Sequence, residues 1–303
     1  MSPTSYLLLY PAILITTIVY IIITSLSILF VKIISLLKLY AKITILCYHN
    51  AMKRKFLIEL QYDGKNYLGF QKNGNSKTIE LEIEKALFKL FNENITIEGC
   101  SRTDRGVSAK KFYFAFVCNT KLPEDRVCFK LNRFLPKDIQ CQNSYEIPLD
   151  YILRKNIQSK TYEYKIYTGK HIKPLLAKNA VFIEGDVDII KMQNCVKLIL
   201  GKHNFKSFCN INDDTTSFER TIFDIRILQE DDVIKMYFTA DNFLYNMVRI
   251  LAGTMILCGQ NKLNENDITN LLEIKDRSKN PAITMQEKGL KLFDIKLKNM
   301  PKN

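Results

Sequence analysis

Residues 95–118 read ITIEGCSRTDRGVSAKKFYFAFVC, and this stretch decides how the chain is laid out. Ile95–Gly99 and Phe112–Cys118 carry the apolar, β-branched and aromatic residues that are typical of strands. They enclose the polar segment CSRTDRGVSA, so the sequence predicts a loop that joins two sheet elements. Loops held by a rigid sheet are frequent locations of binding and catalytic groups.

Strand and helix patterns extend upstream of this loop. Lys55–Gln61 alternates as a strand does, and Tyr62 and Asp63, followed by glycine, supply a turn signal after it. Apolar residues then recur at helical spacing from Ile79 to Phe91, behind Thr78 as a candidate N-cap and with acidic residues in the first turn. The sequence therefore predicts a strand, a turn and a helix before the loop.

The same mixture of patterns recurs downstream. Strands are predicted at Thr161–Tyr167, Thr221–Leu228, Val233–Thr239 and Leu290–Leu297, and helices at Asp186–Leu200, Phe243–Leu257 and Asn266–Ile274. We expect an α+β fold of two similar lobes, each a mainly antiparallel sheet backed by helices, in one compact body. The lobes are placed at residues 52–158 and 159–303, and one compact body is expected because no linker rich in Pro, Gly or Ser separates them.

The charge of the chain favours a polyanionic partner. The formal net charge is +13, from 44 Lys+Arg against 31 Asp+Glu, and the basic residues are spread along 303 residues. A diffuse positive field suits either a nucleic acid or an anionic membrane surface, and charge alone does not choose between them.

Cysteine and histidine spacing indicates no metal centre. No two of the eight cysteines stand at CxxC spacing or beside a clustered histidine, and the three histidines lie far apart. This spacing argues against a zinc site and against a disulfide scaffold. We expect reduced, mostly buried thiols and no metal, and because the sequence also contains no phosphate loop we expect no cofactor.

The N-terminal 51 residues differ from the rest. Residues 5–31 contain no charge, Lys32, Lys38 and Lys42 follow, and the uncharged run is long enough for a membrane helix of roughly 20 residues. One interpretation is an anchor through residues 5–31 that leaves the remaining chain on the cytoplasmic side. A targeting segment fits less well, since the run has no basic n-region, clear cleavage site or arginine.

A third interpretation is a start site assigned too far upstream. Met52 opens MKRKFLIELQYDG, where the membrane-like composition stops and a strand pattern begins. We expect this interpretation to hold, with residues 1–51 forming a hydrophobic extension and the working protein lying in the cytoplasm. Because the extension carries three lysines and no acid, the charge of the remainder is +10.

Asp104 stands in the densest group of polar residues, between Arg102 and Arg105. Neighbouring positive charge favours a carboxylate, so the sequence predicts a lowered pKa for Asp104. Such a group suits a nucleophile or a base. A surface loop with local salt bridges is the alternative, and the loop residues by themselves do not choose.

Several segments together resemble the TruA-type tRNA pseudouridine synthase family. SRTDRGVSA resembles the family signature RTDxGVxA, whose Asp corresponds to Asp104. Further similarities occur in the family's order in FLIELQYDGKNYLGFQ, KTYEYKIY, GKHNFKSF, DNFLYNMVRILAGTMILCG and PAITMQEKGLKLFDI. They extend over almost all of the chain from Met52 to Leu297. Arg105 and Ser108 stand where the family often has a small residue and His, and Asn204 replaces its usual Asp.

This resemblance implies roles for individual residues. Asp104 is the implied catalytic carboxylate, Arg102 helps to displace the target nucleotide, and Tyr162 stacks on the extruded uracil. An arginine on an apolar helix needs a carboxylate partner if it is buried, and the resemblance supplies Asp104 as the partner of Arg249. An Arg249 that reaches the surface is the alternative. Weaker candidates for RNA contact are His203, Asn132 and Arg154.

The implied activity is the conversion of uridine to pseudouridine in tRNA, at positions 38, 39 and 40 of the anticodon stem-loop. The enzyme extrudes the target base, and Asp104 attacks the sugar or the base, or removes a sugar proton. The resemblance also implies a homodimer whose basic surface holds the tRNA. Two other hypotheses stay open: a non-catalytic RNA-binding or tRNA-folding protein of the same fold, and a membrane-tethered protein.

Overall fold

The computed structural model describes residues 20, 24, 26, 29–40, 53–211 and 215–300. Contacts divide the chain into two units, Met1–Met52 and Lys53–Asn303.

Residues 29–40 of the first unit are helical, with exposed side chains. No helix in the described part of the chain is both long enough and apolar enough to cross a membrane. Most of the predicted anchor, residues 5–31, lies outside the described residues. The three interpretations of the N-terminal extension therefore stay predictions.

One sheet organises the second unit. Its strands are β1 (Lys53–Tyr62), β2 (Glu98–Gly99), β3 (Ser108–Asn119), β4 (Ile139–Ile147), β5 (Ile157–Gly169), β6 (Val181–Glu184), β7 (Gly201–Asn204), β8 (Glu219–Glu230), β9 (Val233–Ala240) and β10 (Leu290–Leu297). The strand order is β4-β1-β3-β10-β5-β9-β8-β7, with β2 beside β3 and β6 beside β5. All pairs are antiparallel except β3 with β10 and β5 with β6.

The last strand of the chain joins the two halves of the sheet. β10 pairs antiparallel with β5, where Leu292 lies opposite Tyr162, and makes a short parallel contact with β3, where Leu292 lies opposite Ala109. The catalytic-loop candidate precedes β3, and Tyr162 lies on β5. Insertion of β10 between β3 and β5 thus fixes the distance between these two segments.

Helices in the second unit are α1 (Ile79–Phe91), α2 (Glu124–Leu131), α3 (Ile189–Ile199), α4 (Met247–Gly259) and α5 (Glu265–Ile274). Side-chain caps fix several helix starts, as when Thr78 accepts a hydrogen bond from the amide of Leu81 at 3.3 Å. Helices α3, α4 and α5 pack together, and α4 also contacts β5. The Arg249 helix therefore lies against the strand that carries Tyr162.

The structure confirms the expected α+β fold with its mainly antiparallel sheet. The α1 helix and its Thr78 cap are also confirmed. The strand predicted at Ile95–Gly99 is shorter, because only Glu98 and Gly99 pair with β3. The helix predicted from Phe243 begins at Met247, because Asn246 adopts a left-handed backbone with φ of 59° that no regular helix contains.

Two elements beside the first half of the sheet were missing from the prediction. Helix α2 is short, and β4 reads IQCQNSYEI with little apolar alternation. Edge position explains the β4 composition, because this strand pairs with β1 alone. The lobe boundary at residue 158, which falls within β5, stays a prediction.

Candidate active site

The loop that carries Asp104 is fixed by the turn that follows β1. The carbonyl oxygen of Thr103 accepts a hydrogen bond from the amide of Phe70 at 3.0 Å. A Cβ on Gly69 would lie 2.7 Å from this oxygen, and the φ of Gly69 is +98°. A Cβ on Gly64 would lie 2.0 Å from the Val107 carbonyl oxygen. Close backbone approach therefore requires glycine at both positions.

Side chains of the same turn hold the loop at its two ends. The buried hydroxyls of Tyr62 and Thr103 share a hydrogen bond of 2.8 Å. Ser108 Oγ donates to Asp63 Oδ1 at 3.1 Å and accepts from the amide of Gly64 at 3.0 Å. Ser108, which replaces the histidine frequent in the family, thus serves as a tie between the loop and the turn.

Arg249 reaches the loop from the first turn of α4. Its Nη1 lies 3.9 Å from Asp104 Oδ2, and its Nη2 lies 3.7 Å from Glu287 Oε2. The guanidinium also donates to the Met285 carbonyl oxygen at 2.5 Å and to Asn246 Oδ1 at 2.9 Å. With its side chain only 16% exposed, Arg249 is a fixed cation shared by two carboxylates.

The predicted lowering of the Asp104 pKa is wrong. Burial raises the pKa of this carboxyl above its ordinary value, and the charge of Arg249 opposes the rise. Arg102 and Arg105, the neighbours on which the prediction depended, have exposed side chains. Solvent screens charges at such positions, whereas burial destabilises the carboxylate directly. Arg249, distant in sequence, is a cation that lowers the pKa of Asp104 against the larger effect of burial.

Tyr162 forms a wall of the same site. It is 7% exposed, its hydroxyl lies 3.4 Å from Ser101 Oγ, and its ring packs edge-to-face on Phe243 at 5.3 Å between centroids. Burial raises the pKa of Tyr162, and the nearby charge of Asp104 adds to this rise. The tyrosine is therefore neutral at physiological pH.

Three polar residues at the site were not among the predicted ones. Glu287 faces Arg249, Ser101 lies beside the Tyr162 hydroxyl, and the ammonium of Lys160 donates to Ser101 Oγ at 3.2 Å. Lys160 precedes Tyr162 by two residues on β5, so strand alternation places both on one face. This alternation was the sequence signal that could have identified Lys160, because it places the lysine on the same face as Tyr162.

The other predicted residues lie in different surroundings. Arg102 has an exposed side chain on the loop, two residues before Asp104. Arg154 is exposed and donates to the Gly99 carbonyl oxygen at 3.3 Å, close to the start of the loop. Asn132 accepts from the Cys141 amide at 2.7 Å and donates to its carbonyl oxygen at 2.9 Å, which ties α2 to β4.

His203 lies on β7, the end strand of the sheet. Its Nε2 lies 2.8 Å from the Leu200 carbonyl oxygen, and its ring contacts Phe205 edge-to-face at 6.0 Å. Two strands, β9 and β8, separate β7 from the strand of Tyr162. The structure thus brings together Asp104, Arg249 and Tyr162, and it leaves His203 and Asn132 in other parts of the fold.

Among the residues that the structure describes, no group of three or more His, Cys, Asp or Glu side chains is arranged to hold a metal ion. The seven cysteines within that part of the chain are buried and free, as the sequence predicted.

A basic cleft of about 1130 Å³ adjoins the loop. Gly106 and Ser108 line it, and so does Glu163, which points away from Tyr162 because adjacent strand residues face opposite sides. The lysines along it are Lys65, Lys110, Lys137, Lys165, Lys178, Lys288 and Lys291. Three acids, Asp63, Asp138 and Glu163, accompany them, so the cleft is positive overall.

The sequence of this chain is similar to a known protein family and to individual proteins of known name. A family model described as tRNA pseudouridine synthase matches residues 60–153 and 195–297, which include the loop and the Arg249 helix. A tRNA pseudouridine synthase A of Caldicellulosiruptor bescii is 38% identical over 242 residues, which cover 80% of this chain and 99% of that protein. Its counterpart in Clostridium acetobutylicum is 38% identical over 78% of this chain and 97% of that protein.

Proposed function

The chain belongs to the tRNA pseudouridine synthase family, and from this premise we propose that it isomerises uridine to pseudouridine in tRNA, with Asp104 as the catalytic carboxylate. The observation that carries the proposal is the position of Asp104. The carboxylate lies on a loop locked by backbone contacts, 3.9 Å from the Arg249 guanidinium and close enough to Tyr162 to affect its pKa.

The reaction rearranges one nucleotide without a second substrate. The bond between the sugar C1′ and the base N1 breaks, and a bond between C1′ and C5 forms. C5 loses its proton and N1 gains one, so the product is an isomer of the substrate. Asp104 acts as nucleophile on the sugar or the base, or as the base that removes a sugar proton. Each role requires the ionised carboxylate.

Arg249 supports this chemistry through charge. Burial of Asp104 disfavours the carboxylate, and the guanidinium limits the resulting rise in its pKa. The hydrogen bonds of Arg249 to Met285 and Asn246 hold the cation in place before substrate binds. A preorganised charge is effective because it needs no rearrangement during the reaction.

Tyr162 and Arg102 act on the extruded nucleotide. A paired uridine has to leave the stem before Asp104 reaches it, and Tyr162 offers an aromatic face beside the carboxylate. Arg102, exposed on the same loop, takes the place of the displaced base or holds its phosphate. Arg154, exposed near Gly99, contacts the RNA backbone, and His203 and Asn132 are more distant candidates for this role.

The substrate sites are uridines 38, 39 and 40 of the anticodon stem-loop, and the enzyme acts as a homodimer in the cytoplasm. Relatives named as tRNA pseudouridine synthase A support tRNA as the substrate class. The lysine-lined cleft next to Gly106 supplies a surface for phosphate contacts, so tRNA affinity will fall steeply with salt. A membrane location follows only if residues 5–31 form an anchor, which cell fractionation distinguishes.

Asp104→Asn tests the activity. Pseudouridine is mapped in tRNA from cells that lack the gene and carry wild type, Asp104→Asn or Asp224→Asn. Asp224 is the matched control, since its carboxylate pairs with Arg226 on the exposed side of β8. We expect modification at the three positions with wild type and the control, and none with Asp104→Asn.

Binding separates this enzyme from a non-catalytic RNA-binding protein of the same fold. Asp104→Asn will retain tRNA binding, because the substitution keeps the size of the side chain and removes only its charge. If cells that lack the gene keep all three pseudouridines, the site assignment is refuted. If purified wild type binds tRNA without modifying it, the non-catalytic alternative replaces the enzyme.

A further inference from the structure

Lys160 is a buried cation beside the catalytic loop. It lies near the start of β5 and is 8% exposed. Its ammonium donates to Ser101 Oγ at 3.2 Å and to Asn242 Oδ1 at 3.0 Å. Ser101 Oγ in turn lies 3.4 Å from the Tyr162 hydroxyl. Lys160 therefore bonds to a loop residue that also contacts the proposed base platform.

Both hydrogen-bond partners of this ammonium are neutral. Within the described residues, no carboxylate lies within ion-pair distance of Lys160. Burial, the largest influence, lowers the pKa of Lys160, and the positive charges of Arg154 and Arg220 lower it further, against an opposing influence of Cys100. Burying an ammonium without a carboxylate is unfavourable, and an apolar side chain of similar length would fill the space without that cost.

The contacts of Lys160 join three segments. Ser101 lies on the loop three residues before Asp104, Lys160 shares a face of β5 with Tyr162, and Asn242 precedes the helix that carries Arg249. Ser101 and Asn242 are 59 and 82 residues from Lys160 in the sequence. One ammonium thus links the segments that supply all three residues of the proposed site.

We propose that Lys160 is a positioning residue, which holds the Ser101 end of the catalytic loop and the Asn242 loop so that Asp104, Tyr162 and Arg249 keep their mutual geometry. The proposal deepens the proposed function and rests on it. Lys160 acts through Ser101 and Asn242 and does not contact the reacting atoms. Burial of the Lys160 charge is unfavourable, but it allows a single long side chain to donate hydrogen bonds to two loops at once.

The position of Lys160 argues against a phosphate-binding role. Two protein acceptors, Ser101 Oγ and Asn242 Oδ1, already occupy its ammonium. The two roles differ in kinetics. Loss of a positioning residue lowers kcat, whereas loss of a phosphate contact raises KM and weakens the salt dependence of binding.

The first test measures turnover of tRNA transcripts by Lys160→Met, which preserves length and removes the charge. We expect kcat to fall about 10- to 100-fold, with KM within about twofold, because small displacements of catalytic groups have effects of this size. Lys160→Arg, which retains donors, will recover part of the loss. Lys235→Met is the matched control, since Lys235 on β9 pairs with Glu230 on β8. Its kcat will match wild type.

A second test needs no substrate and reports loop geometry directly. The Gly106 amide donates to the Tyr67 carbonyl oxygen at 3.2 Å, and the Val107 amide donates to the Asp104 carbonyl oxygen at 3.2 Å. In Lys160→Met, hydrogen exchange at these amides will accelerate about tenfold or more, while exchange in α1 stays at the wild-type rate. Unchanged exchange at Gly106 and Val107 overturns the proposal even if the enzyme proves to have another activity.

Substitution of one acceptor, Ser101, keeps the proposal testable if Lys160→Met does not fold. Ser101→Ala will lower kcat, and its combination with Lys160→Met will lower kcat by less than the product of the two single effects, because both remove one contact. Independent effects would contradict the proposal, as would a raised KM with normal kcat. Absence of pseudouridine with wild type refutes the proposed function instead, and the exchange experiment still decides the role of Lys160.

Discussion

Removal of the Arg249 charge is expected to change the pH dependence of turnover. In Arg249→Met the guanidinium that lies 3.9 Å from Asp104 is lost. Two unit charges at this distance interact by about 4 kcal/mol at an effective dielectric constant of about 20, and by about 1 kcal/mol in bulk water. The side chains of Asp104 and Arg249 are 34% and 16% exposed, so the interaction lies between these limits.

The sign of the effect follows from the two influences on Asp104. Burial raises its pKa and Arg249 lowers it, so the variant will have a carboxyl with a still higher pKa. Glu287, no longer neutralised at 3.7 Å by Arg249, adds to the rise. Because turnover needs the carboxylate, the acid limb of the kcat profile will move to higher pH. Since about 1.4 kcal/mol corresponds to tenfold in an equilibrium, we expect kcat on that limb to fall about tenfold or more.

The assay is tritium release from tRNA that contains 5-tritiated uridine, measured with saturating tRNA from about pH 4 to pH 9, a range that starts near the ordinary aspartate pKa of about 3.9 and extends well above it. Arg226→Met is the matched control, because Arg226 pairs with Asp224 on the exposed side of β8. Arg249→Lys keeps the charge and will move the acid limb less than Arg249→Met does. An acid limb that stays in place, or moves to lower pH, would show that Arg249 does not keep Asp104 ionised.

Three further outcomes are expected. Asp104→Asn will raise the melting temperature at neutral pH but not at about pH 4. A carboxyl whose pKa is raised in the folded state stabilises the fold at low pH, and this stability is lost as the carboxyl ionises. An equal gain in melting temperature at both pH values would contradict this. Gly69→Ala will lower the free energy of unfolding, measured in urea, by about 2 kcal/mol or more, and it will reduce kcat. The φ of Gly69 is +98°, and an added Cβ would meet the Thr103 carbonyl oxygen. An unfolding midpoint equal to that of wild type would refute the close contact. Lys137→Ala with Lys288→Ala will reduce the slope of log affinity for tRNA against log salt by about 2, because each phosphate contact contributes about 0.9; an unchanged slope would exclude these two lysines from the RNA surface.

The sequence predicted elements whose patterns are local. The helix behind Thr78 was predictable in type, bounds and cap, because its apolar spacing and N-cap lie within a single segment. Strand β4 was not predictable, because an edge strand with one partner needs little apolar alternation. The start of helix α4 at Met247 was not predictable either. Helical spacing of apolar residues extends through Asn246, but its left-handed backbone does not continue the helix.

At the site, the electrostatic prediction failed where it depended on sequence neighbours. Arg102 and Arg105 flank Asp104 in the chain, yet both are exposed, and the burial that determines the direction of the Asp104 pKa shift arises from tertiary packing. The expectation for Arg249 had two sources: a buried cation on an apolar helix needs a carboxylate, and the family resemblance named Asp104 as that carboxylate. The need for a carboxylate makes no use of sequence distance, and the structure places Arg249 at 3.9 Å from Asp104.

A half-buried arginine and a buried lysine flank the loop of Asp104. Arg249 lies near the carboxylates of Asp104 and Glu287, whereas within the described part of the chain the ammonium of Lys160 donates to the neutral oxygens of Ser101 and Asn242. We expect the charge of Arg249 to keep Asp104 ionised and the contacts of Lys160 to hold the loop in position. Each cation and its partners come from different segments, which β10 brings together by inserting between β3 and β5. The position of the loop that carries Asp104 therefore depends on distant strands of the sheet, although its signature occupies nine residues of sequence from Ser101 to Ala109.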